Sequence, residues 1–193
     1  MQLKTLWFWF WTTLLLGTGA SLLMGFVLQP WLGHPEWIKL LLTGMVFGAV
    51  AELGLFSYLV FNWLCRGLIQ SQSLFHGILV LLTALVLGNL FYLLSSKYDM
   101  VYLIIIAYLV LVSVGVAWLK AKETNRQAWI PTIFFVIVVT TLEAMTSINP
   151  KGASMPLSAI FYTVTILLIC NAWQILRLHH WVKKPKKKAS TAS

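Results

Sequence analysis

The chain has 193 residues, of which 60% are hydrophobic and only 10% carry a charge. Because soluble domains carry a charge on about 25% of their residues, this composition excludes a soluble globular protein and indicates an integral membrane protein. The formal net charge of +9 does not indicate a nucleic-acid partner, since one C-terminal run of lysines supplies more than half of it.

Apolar windows of about 20 residues predict an all-α fold, a polytopic membrane bundle of about six transmembrane helices. The connectors between these helices are too short to hold a soluble domain. We therefore expect a single transmembrane domain over residues 1–176, followed by a basic cytoplasmic tail over residues 177–193. The six predicted helices cover about residues 6–28, 40–63, 74–94, 101–119, 129–148 and 157–176.

Basic residues in short connectors predict the orientation of the helices, because they are enriched on the cytoplasmic side. With the N-terminus in the cytoplasm, eleven of the fourteen Lys and Arg residues lie on that side. Only Lys39, Lys97 and Lys151 then lie on the outer side. The sequence therefore predicts a multi-pass protein of the cell membrane with both termini in the cytoplasm.

Small residues at four-residue spacing mark the faces through which membrane helices approach their neighbours. The first helix carries Gly17 and Ser21 at this spacing, and the second carries Gly44 and Gly48 in line with Glu52. An ionisable group at the centre of a membrane helix costs about 2.5–3.5 kcal/mol, so we expect Glu52 to face another helix. The face of Gly44, Gly48 and Glu52 is either a packing face within the bundle or a face that binds a partner.

The fifth predicted helix contains a second acid, Glu143, about five residues from its outer end. Counting 1.5 Å per residue from the span ends places Glu52 near the membrane midplane and Glu143 about 10 Å nearer the surface. Glu143 then either reaches the interface or bonds within the bundle. Asn89 is a candidate intramembrane polar residue, and a path lined by Asn89 and Glu52 keeps a small transporter or channel-like protein as the alternative function. The other polar residues within the predicted helices, which can bond to one another in a bundle, are Asn62, His76, Thr83, Thr140, Thr141 and Asn171.

Motifs of catalysis and cofactor binding are absent from the sequence. It contains no zinc-protease HExxH, no nucleophile-elbow GxSxG, no P-loop and no dinucleotide-binding glycine fingerprint. Cys65 and Cys170 have no metal-ligand spacing. We therefore expect a protein that is not an enzyme, with no catalytic residue, no metal and no cofactor.

Two segments at the membrane surface suggest partners. The lysines of the tail can anchor the chain to anionic lipids, at about 1 kcal/mol for each lysine near an anionic leaflet, or bind an acidic partner. The outer connector QPWLGHPEWIK is stiffened by Pro30 and Pro35, and it is either a structural cap or a site for an extracytoplasmic lipoprotein. The tail lysines are Lys183, Lys184, Lys186, Lys187 and Lys188.

Residues 47–99, which begin FGAVAELGLFSYLVFNW, resemble the centre of the KinB-signalling pathway activation (KbaA) family. The aromatic opening of the chain and its basic tail are similar as well. The resemblance implies a small membrane protein of endospore-forming bacteria that activates a membrane-bound sensor histidine kinase feeding the sporulation phosphorelay. It implies no catalytic residue. We expect the kinase's transmembrane helices to bind at the small-residue face, the loops or the tail. Its most specific residues are Phe47, Gly48, Gly54, Phe56, Tyr58, Gly67, Leu68, Ile69, Ser73 and Leu74.

Overall fold

The computed structural model describes residues 3–32, 36–98, 100–148 and 155–182. Within these ranges the chain is helical apart from short turns and caps, and it contains no strand. The five tail lysines lie outside the described residues, and so do residues 33–35 of the outer connector and residues 149–154.

Six helices in the described part of the chain are long and apolar enough to cross a membrane. This agrees with the all-α, six-helix membrane fold that the sequence predicts. The fifth of these spans is composite, because a π-helical segment separates two α-helices. The helices are α1 Leu3–Val27, the short α2 Gln29–Leu32, α3 Trp37–Leu68, α4 Gln72–Ser95, α5 Tyr102–Glu123, α6 Trp129–Phe134, α7 Thr140–Ile148 and α8 Leu157–Val182, with the π segment at Phe135–Val139.

α3 and α8 extend furthest beyond the predicted spans. α3 has 32 residues and continues through Arg66 in its last turn, and α8 continues to Val182, so the expected start of the tail at residue 177 falls inside a helix. Apolar windows follow the hydrocarbon layer, whereas helical hydrogen bonds continue through the interfacial layer. There Arg177 lies over the Trp173 ring, 4.3 Å from its centroid, which gives the charge a favourable position beside an aromatic face.

The π segment changes the direction in which the fifth span presents its side chains. Phe135–Val139 are all buried, and three of the five are valines, whose branched Cβ lowers helix propensity. One extra residue in a turn rotates the following face by about 100° relative to an unbroken α-helix. The π segment therefore sets the direction in which Thr140 and Glu143 project.

The composite fifth span and α8 form the centre of the bundle, since they are the two most buried spans. α1, α3 and α5 pack against α8, whereas α4 packs against the fifth span. The core between them contains fully buried side chains such as Phe135, Ile166 and Leu167. α4 is the least buried of the six spans, so most of its surface faces outward.

Candidate functional site

α1 and α3 cross at their small residues, with no space for larger side chains. A Cβ added to Gly17 would lie 2.6 Å from the carbonyl oxygen of Gly44, and one added to Gly44 would lie 2.6 Å from the Cα of Thr18. At Gly48 the nearest atom is the Cα of Leu14, at 3.0 Å. The small-residue face of α3 is therefore covered by α1 of the same chain, where it serves as a packing face within the bundle.

Ser21 fixes this crossing to a third helix. Its hydroxyl donates a hydrogen bond to the carbonyl oxygen of Leu40 on α3, and the hydroxyl of Tyr162 on α8 bonds to the same Ser21 oxygen. Ser21 is fully buried, where hydrogen bonds are not weakened by competing water. α1, α3 and α8 are thus joined at one buried point near the end of the bundle where α3 begins.

Glu52 continues the small-residue face toward the middle of the membrane. Its side chain is only 4% exposed, and its carboxyl group lies beside the side chains of Thr13 on α1 and Gln174 on α8. Thr13 and Gln174 are themselves fully buried. Neither amide atom of Gln174 makes a hydrogen bond of good geometry. The acid that the sequence places on the second helix therefore faces two polar side chains and not lipid.

Glu143 bonds within the bundle and does not reach the membrane surface. The Asn171 amide on α8 donates hydrogen bonds to Glu143 Oε2 at 2.8 Å and to Thr140 Oγ1 at 3.0 Å. On its other side Glu143 lies against Gly54 of α3, where an added Cβ would collide with Glu143 Oε1. A glycine at position 54 is therefore required for the carboxyl group to fit between α3 and α8.

The two acids lie at similar depths, so the expected offset of about 10 Å is wrong. Glu143 touches Gly54, which is two residues from Glu52 in the same helix. Its hydrogen-bond donor, Asn171, is 14 residues from the start of α8, about 21 Å along the helix. The expected offset rested on the assumption that the fifth helix ends at the membrane surface, whereas α7 ends beside a deeper part of α8.

α8 supplies neighbours to both acids from one face, since Asn171 and Gln174 are three residues apart. Unpaired buried polar groups cost about 1–3 kcal/mol each, and such groups commonly mark a functional or strained site. We call the set formed by these residues from α1, α3, α7 and α8 the central polar cluster: Thr13, Glu52, Thr140, Glu143, Asn171 and Gln174. Its buried atoms without a hydrogen-bond partner among the described residues are Glu52 Oε1, Glu143 Oε1, Asn171 Oδ1, Gln174 Oε1 and Gln174 Nε2.

Sequence reasoning missed two members of the central polar cluster, Thr13 and Gln174. Gln174 lies two residues before the predicted end of the last helix, where an amide is easily attributed to the membrane interface. Its spacing of three residues from Asn171 was the signal that could have placed both amides on one helix face. No sequence pattern indicated that Thr13 contacts another helix, because a threonine hydroxyl in a helix can bond to a carbonyl of its own helix. Here the Thr13 hydroxyl does so, donating to Trp9 O at 3.2 Å.

Asn89 makes no hydrogen bond to the central polar cluster. It lies on the exposed face of α4, and no hydrogen bond from its side chain is found within the described residues. Beside it, a Cβ on Gly88 would meet no atom within 4 Å. The structure therefore does not place Asn89 and Glu52 on one polar path. No group of three His, Cys, Asp or Glu side chains in the described ranges is arranged to hold a metal ion.

Six membrane-length helices, with a cluster of buried polar side chains at the centre and only short connectors in the described part, define a small polytopic membrane protein. A family model described as KbaA, "KinB-signalling pathway activation in sporulation", matches residues 31–181. The chain belongs to the KbaA family, which confirms the resemblance noted in the sequence. The KinB-signaling pathway activation protein of Bacillus subtilis (strain 168) is 22% identical over 158 residues, covering 74% of this chain and 73% of that relative. No solved structure matches the chain significantly.

Proposed function

We propose that this protein activates a membrane-bound sensor histidine kinase of the KinB type, which feeds the sporulation phosphorelay, by contacting the kinase's transmembrane helices. Family membership is the observation that carries this proposal, because the family is described by activation of KinB signalling in sporulation. The name of the Bacillus subtilis relative refers to the same pathway.

The energy that such an activator must supply is small. A binding preference of about 2.7 kcal/mol for the active state of the kinase shifts its equilibrium about 100-fold. Interhelical hydrogen bonds in membranes contribute about 0.6 kcal/mol each, and close packing adds to them. One helix face that fits the active arrangement of the kinase helices is therefore sufficient.

The contact surface that we propose is the outward face of α4. We do not propose the small-residue face of α3, because α1 covers it. On α4, Gly77, Ala84 and Gly88 are exposed along one line, and a Cβ on either glycine would meet no atom within 4 Å. These residues would allow the backbone of a partner helix to approach closely.

Asn89 supports the same surface. It lies six residues, or roughly 9 Å, before the end of α4, so its exposed amide is within the apolar part of the helix. An amide in hydrocarbon gains free energy when a second helix supplies a hydrogen-bond partner. A polar side chain on the kinase helix would satisfy Asn89 and fix the register of the contact.

The test compares two exposed glycines, each at a position where added side-chain atoms meet open space. We expect Gly88→Leu on α4 to lower kinase-dependent transcription about tenfold, which corresponds to a loss of about 1.4 kcal/mol of contact free energy. Gly115→Leu on α5 is the matched control and should leave transcription unchanged. Immunoblots of membrane fractions check that both variants are present at the normal level.

Photo-crosslinking in sporulating cells tests whether the contact is direct. A photoreactive residue at position 89 should capture the kinase, and the same residue at position 115 should not. Normal transcription in both Gly88→Leu and Asn89→Leu would refute the α4 face as the contact. Failure to capture a kinase from exposed positions on every span would refute direct activation itself.

A further inference from the structure

A cavity of about 540 Å³ opens at the end of the bundle where α3 and α5 end and α4 begins. Its size is typical of small-molecule sites, which occupy about 300–1,000 Å³. Its lining combines apolar side chains such as Phe75 and Ile175 with polar and basic ones. The cavity is separate from the central polar cluster, since none of the cluster's acids or amides lines it.

Two cations line this cavity, Arg66 from α3 and Lys120 from α5. No Asp or Glu is among its lining residues in the described part of the chain. Lys120 is only 5% exposed although it is a lysine, and its ammonium donates a hydrogen bond to Leu176 O at 3.2 Å. Glu123, one turn further along α5, offsets part of this charge. The balance of charge at the cavity wall is positive, so the cavity favours an anion.

The other polar groups of the wall are suited to bind oxygen atoms. Arg66 lies over the Phe75 ring, 5.9 Å from its centroid, which holds the guanidinium group at the cavity. Asn125 and Gln127 enter from the connector between α5 and α6, and Gln70 enters from the connector between α3 and α4. Guanidinium, ammonium and amide N–H groups are the donors that bind phosphate oxygens in proteins.

The surroundings place this cavity at the level of lipid headgroups. A second cavity, of about 460 Å³, lies next to the same connector and is lined by Lys122 and Arg126 between Trp118 and Trp129. Tryptophan together with basic residues is typical of the membrane–water interface. The apolar lining residues of the first cavity are suited to contact the acyl chains of a lipid whose headgroup binds the cations.

We propose that the cavity lined by Arg66 and Lys120 binds a phosphate-bearing anion, with these two cations and the neighbouring amides holding the phosphate oxygens. An anionic phospholipid and a soluble phosphate monoester share this chemistry. This proposal does not rest on the kinase contact, because the cavity lining includes none of Gly77, Ala84, Gly88 and Asn89 on α4.

Native mass spectrometry of the full chain in detergent micelles tests the lipid source, with phosphatidylglycerol as the probe and phosphatidylcholine as the comparison. We expect preferential retention of phosphatidylglycerol, reduced about tenfold by Lys120→Gln and preserved by Lys120→Arg, which keeps the charge. Arg66→Gln is the second variant, because Arg66 is exposed, and it should also reduce the retention of phosphatidylglycerol. Lys39→Gln, at the opposite end of the bundle in an exposed ion pair with Glu36, is the matched control.

A thermal-shift titration with glycerol 3-phosphate tests the soluble source. Stabilisation by glycerol 3-phosphate that Lys120→Gln abolishes would support a general phosphate site, and preferential phosphatidylglycerol retention without it would support a lipid site. Equal retention of both lipids together with no thermal shift would overturn the proposal. An equal loss of phosphatidylglycerol in Lys39→Gln would also overturn it, because net charge would then explain the binding.

Discussion

Replacing Asn171 with leucine removes the amide that joins α7 to α8 in the central polar cluster. The side chain makes two hydrogen bonds, to Glu143 at 2.8 Å and to Thr140 at 3.0 Å. An interhelical hydrogen bond in a membrane contributes about 0.6 kcal/mol, and a buried acceptor left without its donor costs about 1–3 kcal/mol. We therefore expect Asn171→Leu to lower the free energy of unfolding by about 2–4 kcal/mol.

A double-mutant cycle separates this bond from general packing effects. Once Glu143→Leu has removed the carboxyl group, Asn171→Leu should cost only the bond to Thr140, about 0.6 kcal/mol. The coupling free energy between positions 143 and 171 is the difference between these two costs and should therefore be about 1.4–3.4 kcal/mol. Unfolding in mixed micelles with increasing sodium dodecyl sulfate, followed by the fluorescence of the ten tryptophans, measures all four proteins.

Asn89→Leu is the control, because it replaces an exposed amide that bonds to no described residue. Its effect on the free energy of unfolding should lie within about 0.5 kcal/mol. A coupling free energy near zero between positions 143 and 171 would show that the Asn171 bond does not hold α7 to α8, and our account of the cluster would fail.

Two further variants test the joints between α1 and its neighbours. Gly44→Leu should lower the free energy of unfolding by about 3 kcal/mol or more, because the added atoms would meet the α1 backbone. Gly19→Leu is the control, since a Cβ at this position meets nothing within 4 Å. It should leave the free energy of unfolding nearly unchanged in the same micelle titration. Tyr162→Phe removes the hydrogen bond to Ser21 and should cost about 1 kcal/mol; unchanged stability would show that α1 is held to α8 by packing alone.

The six spans were predictable because each needs about 20 apolar residues to cross the hydrocarbon layer. The close approach of α3 was predictable as well, since Gly44 and Gly48 lie on the same side as Glu52. Which helix would cover that face was not predictable. Helix contacts in lipid depend on matching shapes between two surfaces, and one sequence pattern cannot distinguish a neighbour in the same chain from a helix of another protein.

The position of Glu143 illustrates a second limit of sequence reasoning. Its depth was inferred from the end of its own helix, but the depth of a side chain in a bundle depends on how neighbouring helices are offset along their axes. The π segment at Phe135–Val139 also determines where Glu143 points, and buried apolar runs of this kind form ordinary helices as well. Gly54 was noted only as part of the family resemblance, and its role as the space for a carboxyl group requires the packing of α3 against α7.

The order of the helices along the chain has a consequence for the assembly of the protein during its synthesis. The ribosome releases α1 and α3 first, with Thr13 and Glu52 already in place, whereas Gln174 and Asn171 arrive in the final helix. Until α8 has entered the membrane, Glu52 has Thr13 beside it but not Gln174, and Glu143 lacks the Asn171 amide that donates to it. The central polar cluster can therefore be completed only after α8 has been inserted.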